Sequence, residues 1–285
     1  MVHVTACVVR VMVAVLALAA CRGSADSGAG SGSGGSAAPR IVTLSPSATE
    51  IVAALGATAW LVGVDDYSEF PAAVKTLPKV GTFMAPNLET IVRLRPTLVI
   101  VDDVHAQQAA ALSDRGIATV ECAMHALPDV KAALHAVGVK LGKTAEADAV
   151  VAAIDKALDD AAAKKPAKHP RVLAVIDRES GGLGNIVAAG PGSWVDELVA
   201  VVGGDNTLAG AATRYPKISV EEVLRARPDV ILDLSYAARA STAEWNDVDV
   251  PAVAARRVIV IQEPYVIAPS PRVGPALEVL ARSLR

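Results

Sequence analysis

Apolar positions along this chain fall into short β-branched runs, separated by longer stretches in which they recur every three or four residues. Ile41-Val-Thr-Leu44, Leu61-Val-Gly-Val64, Thr97–Val101, Ile117–Val120, Arg171–Ile176, Asp229–Leu234 and Val258–Ile261 have the length and composition of buried strands. Helical periodicity fills the gaps. One helix is expected to run to Leu55, with Ser47 and Glu50 spaced as a capping box and Gly56 as its stop. Others begin at His105, Pro128 and Trp194, and a terminal one spans Pro271–Leu284. Strand alternating with helix predicts an α/β chain with parallel sheets. From Thr144 to Lys164 no Gly or Pro interrupts the pattern, which predicts a helix about 30 Å long near the middle of the chain.

Two stretches repeat one another. Asn87-Leu-Glu-Thr-Ile-Val-Arg-Leu-Arg-Pro-Thr-Leu-Val-Ile and Ser219-Val-Glu-Glu-Val-Leu-Arg-Ala-Arg-Pro-Asp-Val-Ile-Leu align Glu89 with Glu221, Arg93 with Arg225 and Pro96 with Pro228. Each opens on an N-cap residue and places a Glu in the first turn, where the helix dipole favours negative charge. Each ends at a proline that cannot continue the helix, then enters a strand. A duplicated helix-to-strand unit predicts two similar parallel-sheet α/β lobes, residues 40–142 and 166–285, with the long helix over 143–165 as a candidate strut between them.

Composition changes the picture chiefly at the N-terminus. Arg10 precedes the apolar run Val11–Ala20, which has the length of a signal peptide, and Cys21 follows it. Leu18-Ala-Ala-Cys21 resembles a bacterial lipobox, in which the Cys is lipidated; a plain secretory signal is the alternative. The chain thus divides into a signal over 1–20, a lipidated Cys21 with a Gly/Ser linker over 21–39, and the folded part. A linker of this kind spans about 20–25 Å. Cys122 is left without a partner, so no internal disulfide is expected. A net charge of −3 argues against a nucleic-acid surface.

Catalytic motifs are missing from the sequence: there is no P-loop, no Gly-x-Gly-x-x-Gly at a strand-to-helix junction, no Gly-x-Ser-x-Gly and no His-Glu-x-x-His. Asp65-Asp66 and Asp102-Asp103 are acid/base candidates, but neighbours at a strand end are expected to point apart. His105, His125 and His135 lack ligand spacing, and only His105 falls just after a strand, so no metal or cofactor is assigned. The aromatics are more informative. The chain has three Trp, four Tyr and two Phe. Tyr67, Phe83, Tyr215, Tyr236 and Tyr265 all fall after a strand or before a repeated helix, where the ligand crevice of an open α/β sheet lies. Together they suit the wall of a large organic ligand; singly, each also suits a loop-to-core staple.

The repeated segment resembles the hallmark of the substrate-binding proteins of bacterial ABC importers for cobalamin, haem and ferric siderophores. Arg40-Ile-Val-Thr-Leu-Ser-Pro-Ser-Ala-Thr-Glu50, Val62-Gly-Val-Asp-Asp-Tyr-Ser-Glu-Phe-Pro71 and Ser270-Pro-Arg272 are also similar to that family. The resemblance covers residues 40 to 285. It implies two α/β lobes joined by one long helix, with a ligand cleft between them and little hinge motion, in an exported, lipid-anchored, monomeric binding protein that is not an enzyme. Glu89 and Glu221 match the glutamates that dock onto permease arginines. Cobalamin binders carry aromatics near Tyr67, Phe83, Tyr215 and Tyr265, and carry Trp where this chain has Asp102. The Tyr of haem binders is replaced by Thr82, and the Arg of hydroxamate-siderophore binders, expected near Phe83, is missing. The expected cargo is therefore cobalamin or a related corrinoid, captured by Tyr67, Phe83, Asp102, Tyr215, Tyr236 and Tyr265, with a ferric siderophore or haem as the alternative. The competing class is an α/β enzyme using Asp65, Asp66, Asp102, Asp103 and His105.

Overall fold

Three consecutive buried residues, Ile41, Val42 and Thr43, form the first strand, β1, and their alternation assigns the two faces of a sheet. Ile41 packs with Leu98 and Ile100 on one side, while Val42 packs with Val99 and Val101 on the other. Both faces are thus buried, as a doubly wound parallel sheet requires. The computed structural model describes residues 38–235 and 241–285. The expected signal, Cys21 and Tyr236 lie outside the described residues.

The first half contains β1 (Ile41–Thr43), β2 (Leu61–Gly63), the hairpin β3 (Gly81–Thr82) and β4 (Ala85–Pro86), β5 (Leu98–Val101) and β6 (Ala118–Glu121). Its helices are α1 (Pro46–Ala54), α2 (Leu88–Arg93), α3 (Ala106–Ser113) and α4 (Leu127–Leu141). Strand order is β2-β1-β5-β6, with every pair parallel. The second half contains β7 (Arg171–Asp177), β8 (Ile186–Ala188), β9 (Asp205–Asn206), β10 (Lys217–Ile218), β11 (Val230–Asp233) and β12 (Val258–Val260). Its order is β10-β8-β7-β11-β12, with β9 also on β7. β7, β9, β11 and β12 are parallel, but β8 and β10 form an antiparallel edge that the sequence pattern did not display.

The repeat in sequence is a repeat in structure. Asn87 caps α2 by accepting from the Thr90 amide, and Ser219 caps α7 (Val220–Ala226) by accepting from the Glu222 amide. Before each proline the chain turns left-handed, at Arg95 (φ 48°) and Arg227 (φ 44°), because the proline ring excludes right-handed helix for the residue before it. Arg40 then donates its amide to Thr97 Oγ1 and Nη2 to the Leu94 carbonyl, at 2.9 and 2.7 Å. Arg171 donates its amide to Asp229 Oδ2 and Nη2 to the Ala226 carbonyl, at 2.9 and 2.7 Å. In both halves an arginine at the start of the central strand neutralises the carbonyl end of the repeated helix.

The long helix is α5, Thr144–Ala162, somewhat shorter than the expected 143–165 because it begins after the left-handed Gly142 and ends at Ala163. It packs on α1 and α4 of the first half, and on α6 (Trp194–Val201) and α10 (Val273–Ser283) of the second. One hydrophobic cluster runs through this layer, from Ile51, Val52 and Leu134 through Ile154 to Trp194, Leu198, Leu277 and Leu280. The short helices α8 (Pro251–Ala254) and α9 (Pro264–Ile267) flank β12. The α1 cap corrects the expectation: Ser45, not Ser47, accepts from the Ala48 amide, and Pro46 occupies the first helical turn. Glu50 is thereby freed for the contact described below.

Candidate functional site

In each sheet the chain leaves the central strand to one side and returns on the other, β1 between β2 and β5, β7 between β8 and β11. Loops leaving the carboxyl ends of such strands diverge and open a crevice. The loop after β2 is tied down from beneath. Asp65, 1% exposed, accepts from the Tyr67 amide at 2.9 Å and from the Ser68 hydroxyl. Ser68 Oγ lies 2.7 Å from Thr49 Oγ1, and Lys79 Nζ donates to the carbonyls of Asp65 and Ser68. Burial raises the Asp65 carboxyl pKa against the lowering by these bonds. The carboxylate staples the loop, which presents Tyr67 at 64% exposure and Phe70 at 47%.

The β3–β4 hairpin joins the same rim. Asp66 donates its amide to the Gly81 carbonyl at 2.9 Å and accepts from the Gly81 amide at 3.2 Å. At the hairpin tip Met84 is 78% exposed. The Phe83 ring meets His105 edge-on, centroids 5.0 Å apart. His105 Nδ1 accepts from the Asp102 amide at 3.1 Å, so the proton sits on Nε2, which donates to the Phe83 carbonyl at 2.6 Å. Both ring nitrogens are committed and the residue is 2% exposed, so His105 positions Phe83 and is not a free base.

Asp102 and Asp103 do not point apart as expected. The chain enters a 3-10 turn over Asp103–His105, which brings the two carboxyl groups together beside His125 from the end of β6. His125 Nε2 lies 2.9 Å from Asp103 Oδ2. Asp102 is buried, and its pKa is pushed up to about 7, first by burial and then by the neighbouring Asp103; Asp103 is held low by its bonds to Asp102 and His125. These three side chains bring ligand atoms within 4.8 Å of one another, the one such group among the described residues. Asp102 therefore lies beneath the rim, and Asp103 and Val104 are what the turn exposes.

The two halves meet at Arg272. Its Nε donates to Glu50 Oε2 at 2.8 Å and its Nη2 to Glu50 Oε1, a bidentate pair between residues far apart in the chain. The guanidinium carbon lies 4.2 Å from the Phe70 ring centre and 4.4 Å from that of Tyr265. One crevice loop from each half thus stacks on a single arginine. Nearby, the Trp194 amide donates to the His125 carbonyl at 3.0 Å, and the Leu127 amide to Glu197 Oε2 at 2.6 Å.

The named residues are distributed as follows. Tyr67 and Phe83 share one rim, and Tyr265 is joined to Phe70 through Arg272. Tyr215 is 41% exposed before β10, and among the described residues no ring contact joins it to the others. Glu89 and Glu221 are exposed in the first turns of α2 and α7. Because Arg40 and Arg171 fix the carboxyl ends of these helices beside the amino ends of the strands, both glutamates lie on the crevice side of their own half. Glu221 has a lowered pKa, from the bond to its own amide first and then from Ser219. A groove of about 590 Å³ between α5 and α10, lined by Ala157, Ala161, Leu277 and Ala281, holds none of these residues. The sequence offered Asp103 only as an acid/base candidate, and it did not place Phe70, His125 or the Glu50–Arg272 pair in the site. Phe70 alone carried a local signal, its place in the loop with Tyr67.

Residues 41–265 match the family model described as periplasmic binding protein. The chain is 30% identical over 201 residues to the vitamin B12-binding protein of Salmonella choleraesuis, covering 69% of this chain and 72% of that one. Among solved structures it resembles the periplasmic haem-binding protein RhuT from Roseiflexus sp. RS-1 (28% identity, TM-score 0.78, 87% of this chain and 98% of that one). It also resembles the periplasmic vitamin B12 binding protein BtuF of Vibrio cholerae (25% identity, TM-score 0.70, 86% and 96%). This chain belongs to the periplasmic binding protein family.

Proposed function

We propose that this protein is the exported substrate-binding component of an ABC importer, and that it captures cobalamin or a related corrinoid in the crevice between its two halves. The observation that carries the reading is the rim itself. Tyr67, Phe70 and Met84 are large apolar side chains left exposed on loops held by hydrogen bonds to Asp65 and Asp66, a costly arrangement unless a large apolar guest covers them. Relatives named vitamin B12-binding protein support the corrinoid. Haem is the second reading, favoured by the likeness to RhuT. Under either, Cys21 carries a lipid anchor, the protein acts as a monomer, and Glu89 and Glu221 dock onto permease arginines through charge-assisted bonds, one per half.

Titration of the protein with cyanocobalamin and with haem, followed by absorbance and thermal melting, tests the assignment. A ligand at a hundredfold excess over Kd stabilises the fold by about 2.7 kcal/mol, which a melting curve resolves. Absence of any shift up to high micromolar cyanocobalamin removes the corrinoid, and absence with both removes the tetrapyrrole class.

A further inference from the structure

Arg272 has more capacity than the contact between the halves consumes. A guanidinium carries five N–H donors in a rigid plane. Glu50 takes one from Nε and one from Nη2, which uses the side-on edge. Three donors remain, two on Nη1 and one on Nη2, and no bond from Nη1 to another described residue accompanies them. The rings of Phe70 and Tyr265 crowd the guanidinium, their centres 4.2 and 4.4 Å from its carbon, and the end-on edge is the one whose donors Glu50 leaves uncommitted. The side chain keeps 23% exposure, and the loops that hold it leave the carboxyl ends of β2 and β12, the crevice side of each half.

We infer that Arg272 reads an oxyanion on the guest, a carboxylate or a phosphodiester, through this end-on edge. The inference rests on the proposed function and deepens it. Glu50 neutralises the formal charge, so an anion is recognised by geometry and not by a net positive field. Two stacked rings and a bidentate carboxylate hold the fork in place before the guest arrives, so little ordering entropy is lost on binding. A lysine could supply a point charge to Glu50 but offers neither the planar stack nor a second edge. Haem carries its oxyanions as two carboxylates and cobalamin as one phosphodiester, and either chemistry fits the fork.

The test compares each guest with an analogue lacking its oxyanion, on the same protein: haem against its dimethyl ester, and cyanocobalamin against dicyanocobinamide. Wild type is expected to prefer the oxyanion-bearing member of the pair it binds by about tenfold or more, the scale of hydrogen bonds to a charged group. Arg272→Gln is expected to bring the haem ratio close to one and to lower the corrinoid ratio by about tenfold, the part the phosphodiester supplies beside the ribose and benzimidazole that cobinamide also lacks. Arg272→Lys should lower it partly, and Glu50→Gln, which loosens the halves but keeps the guanidinium, should preserve it. A ratio taken on one protein is independent of the fraction folded, so a destabilised variant still reports. A ratio unchanged in Arg272→Gln, or lost equally in Glu50→Gln, makes Arg272 a structural tie and overturns the inference alone. Binding of none of the four compounds by the wild type overturns the proposed function and this inference with it. The responding pair identifies the source of the oxyanion.

Discussion

Asp233→Ala gives the sharpest test of what holds the second half together. Arg178, at the end of β7, and Asp233, at the end of β11, have fully buried side chains and are bonded Nε to Oδ2 at 2.8 Å. The same Oδ2 accepts from Trp245 Nε1 at 2.9 Å, and Oδ1 from the Ser235 amide at 3.2 Å. Removing the carboxylate leaves a guanidinium without water and with Glu244, 3.5 Å away, as its nearest counter-charge. Breaking a buried pair from one side costs about 3–5 kcal/mol. That is a large share of the roughly 5–15 kcal/mol by which folded domains are stable. Urea denaturation of wild type, Asp233→Ala and the double variant Arg178→Met with Asp233→Leu measures it. The double variant is expected to recover most of the loss, because two apolar side chains remove both desolvation penalties. It should still fall short of wild type by about 1–3 kcal/mol for the orphaned Trp245 indole N–H. If Asp233→Ala costs under about 1 kcal/mol, or if the double variant is no more stable than Asp233→Ala, the pair is not coupled and the reasoning from burial fails.

Further outcomes are expected at the rim and at the two exposed glutamates. Glu89→Ala with Glu221→Ala should weaken binding to the permease by about tenfold or more while leaving guest affinity unchanged; unchanged permease binding in a pull-down titration would refute docking through these residues. In Gly81→Ala the added Cβ would meet the Ala85 carbonyl at 2.5 Å, at a position where φ is +101°. The hairpin carrying Phe83 should therefore distort and guest affinity fall, measured by calorimetry against a wild-type control. Asp102, with a pKa raised to about 7, binds its proton in the folded state over a pH range where the unfolded chain has lost it. Its contribution to stability is therefore present in acid and lost as pH rises through 7. Asp102→Asn should flatten the corresponding decline of melting temperature between about pH 4 and 7, and an unaltered decline would assign it elsewhere.

Much of the fold is written locally, and the site mostly is not. Asn87, Glu89, Arg95 and Pro96 announce a capped helix, its stop and the strand after it within a few residues, and their copies at Ser219, Glu221, Arg227 and Pro228 announce it again. The alternation of Ile41, Val42, Leu98 and Val99 between two clusters follows from the period of a strand. The α1 cap was legible too, since Ser45-Pro46 places a capping hydroxyl before a proline suited to the first turn, and that signal outweighs the Ser47–Glu50 spacing. What escaped are partnerships set by tertiary closure. Nothing near Glu50 points to Arg272, and nothing near Arg178 points to Asp233. Asp102 and Asp103 converge because a 3-10 turn replaces the extended chain that would have separated them. The antiparallel edge of β8 and β10 escaped because its strands are two and three residues long.

That division bears on how such a protein works. The hydrophobic cluster does not stop at the boundary between halves: it continues from α1 and α4 through Ile154 of α5 into α6 and α10. Opening the crevice wide would expose part of it to water at about 25 cal/mol for each Å² of apolar surface, and would also break the Glu50–Arg272 pair and the Trp194 amide bond to His125. Large hinge closure is thus disfavoured by the same contacts that set the spacing of the rims. Under the proposed function, selectivity resides in the shape and chemistry of a crevice that is already formed, with the rings of Tyr67 and Phe83 and the plane of Arg272 as its proposed readers, and not in the energy of closing around the guest. If Glu89 and Glu221 dock as proposed, a binder built this way presents them at nearly the same separation whether loaded or empty. Discrimination of the loaded form by the permease would then depend on small shifts of the rim, such as those of the loop carrying Tyr67 and Phe70.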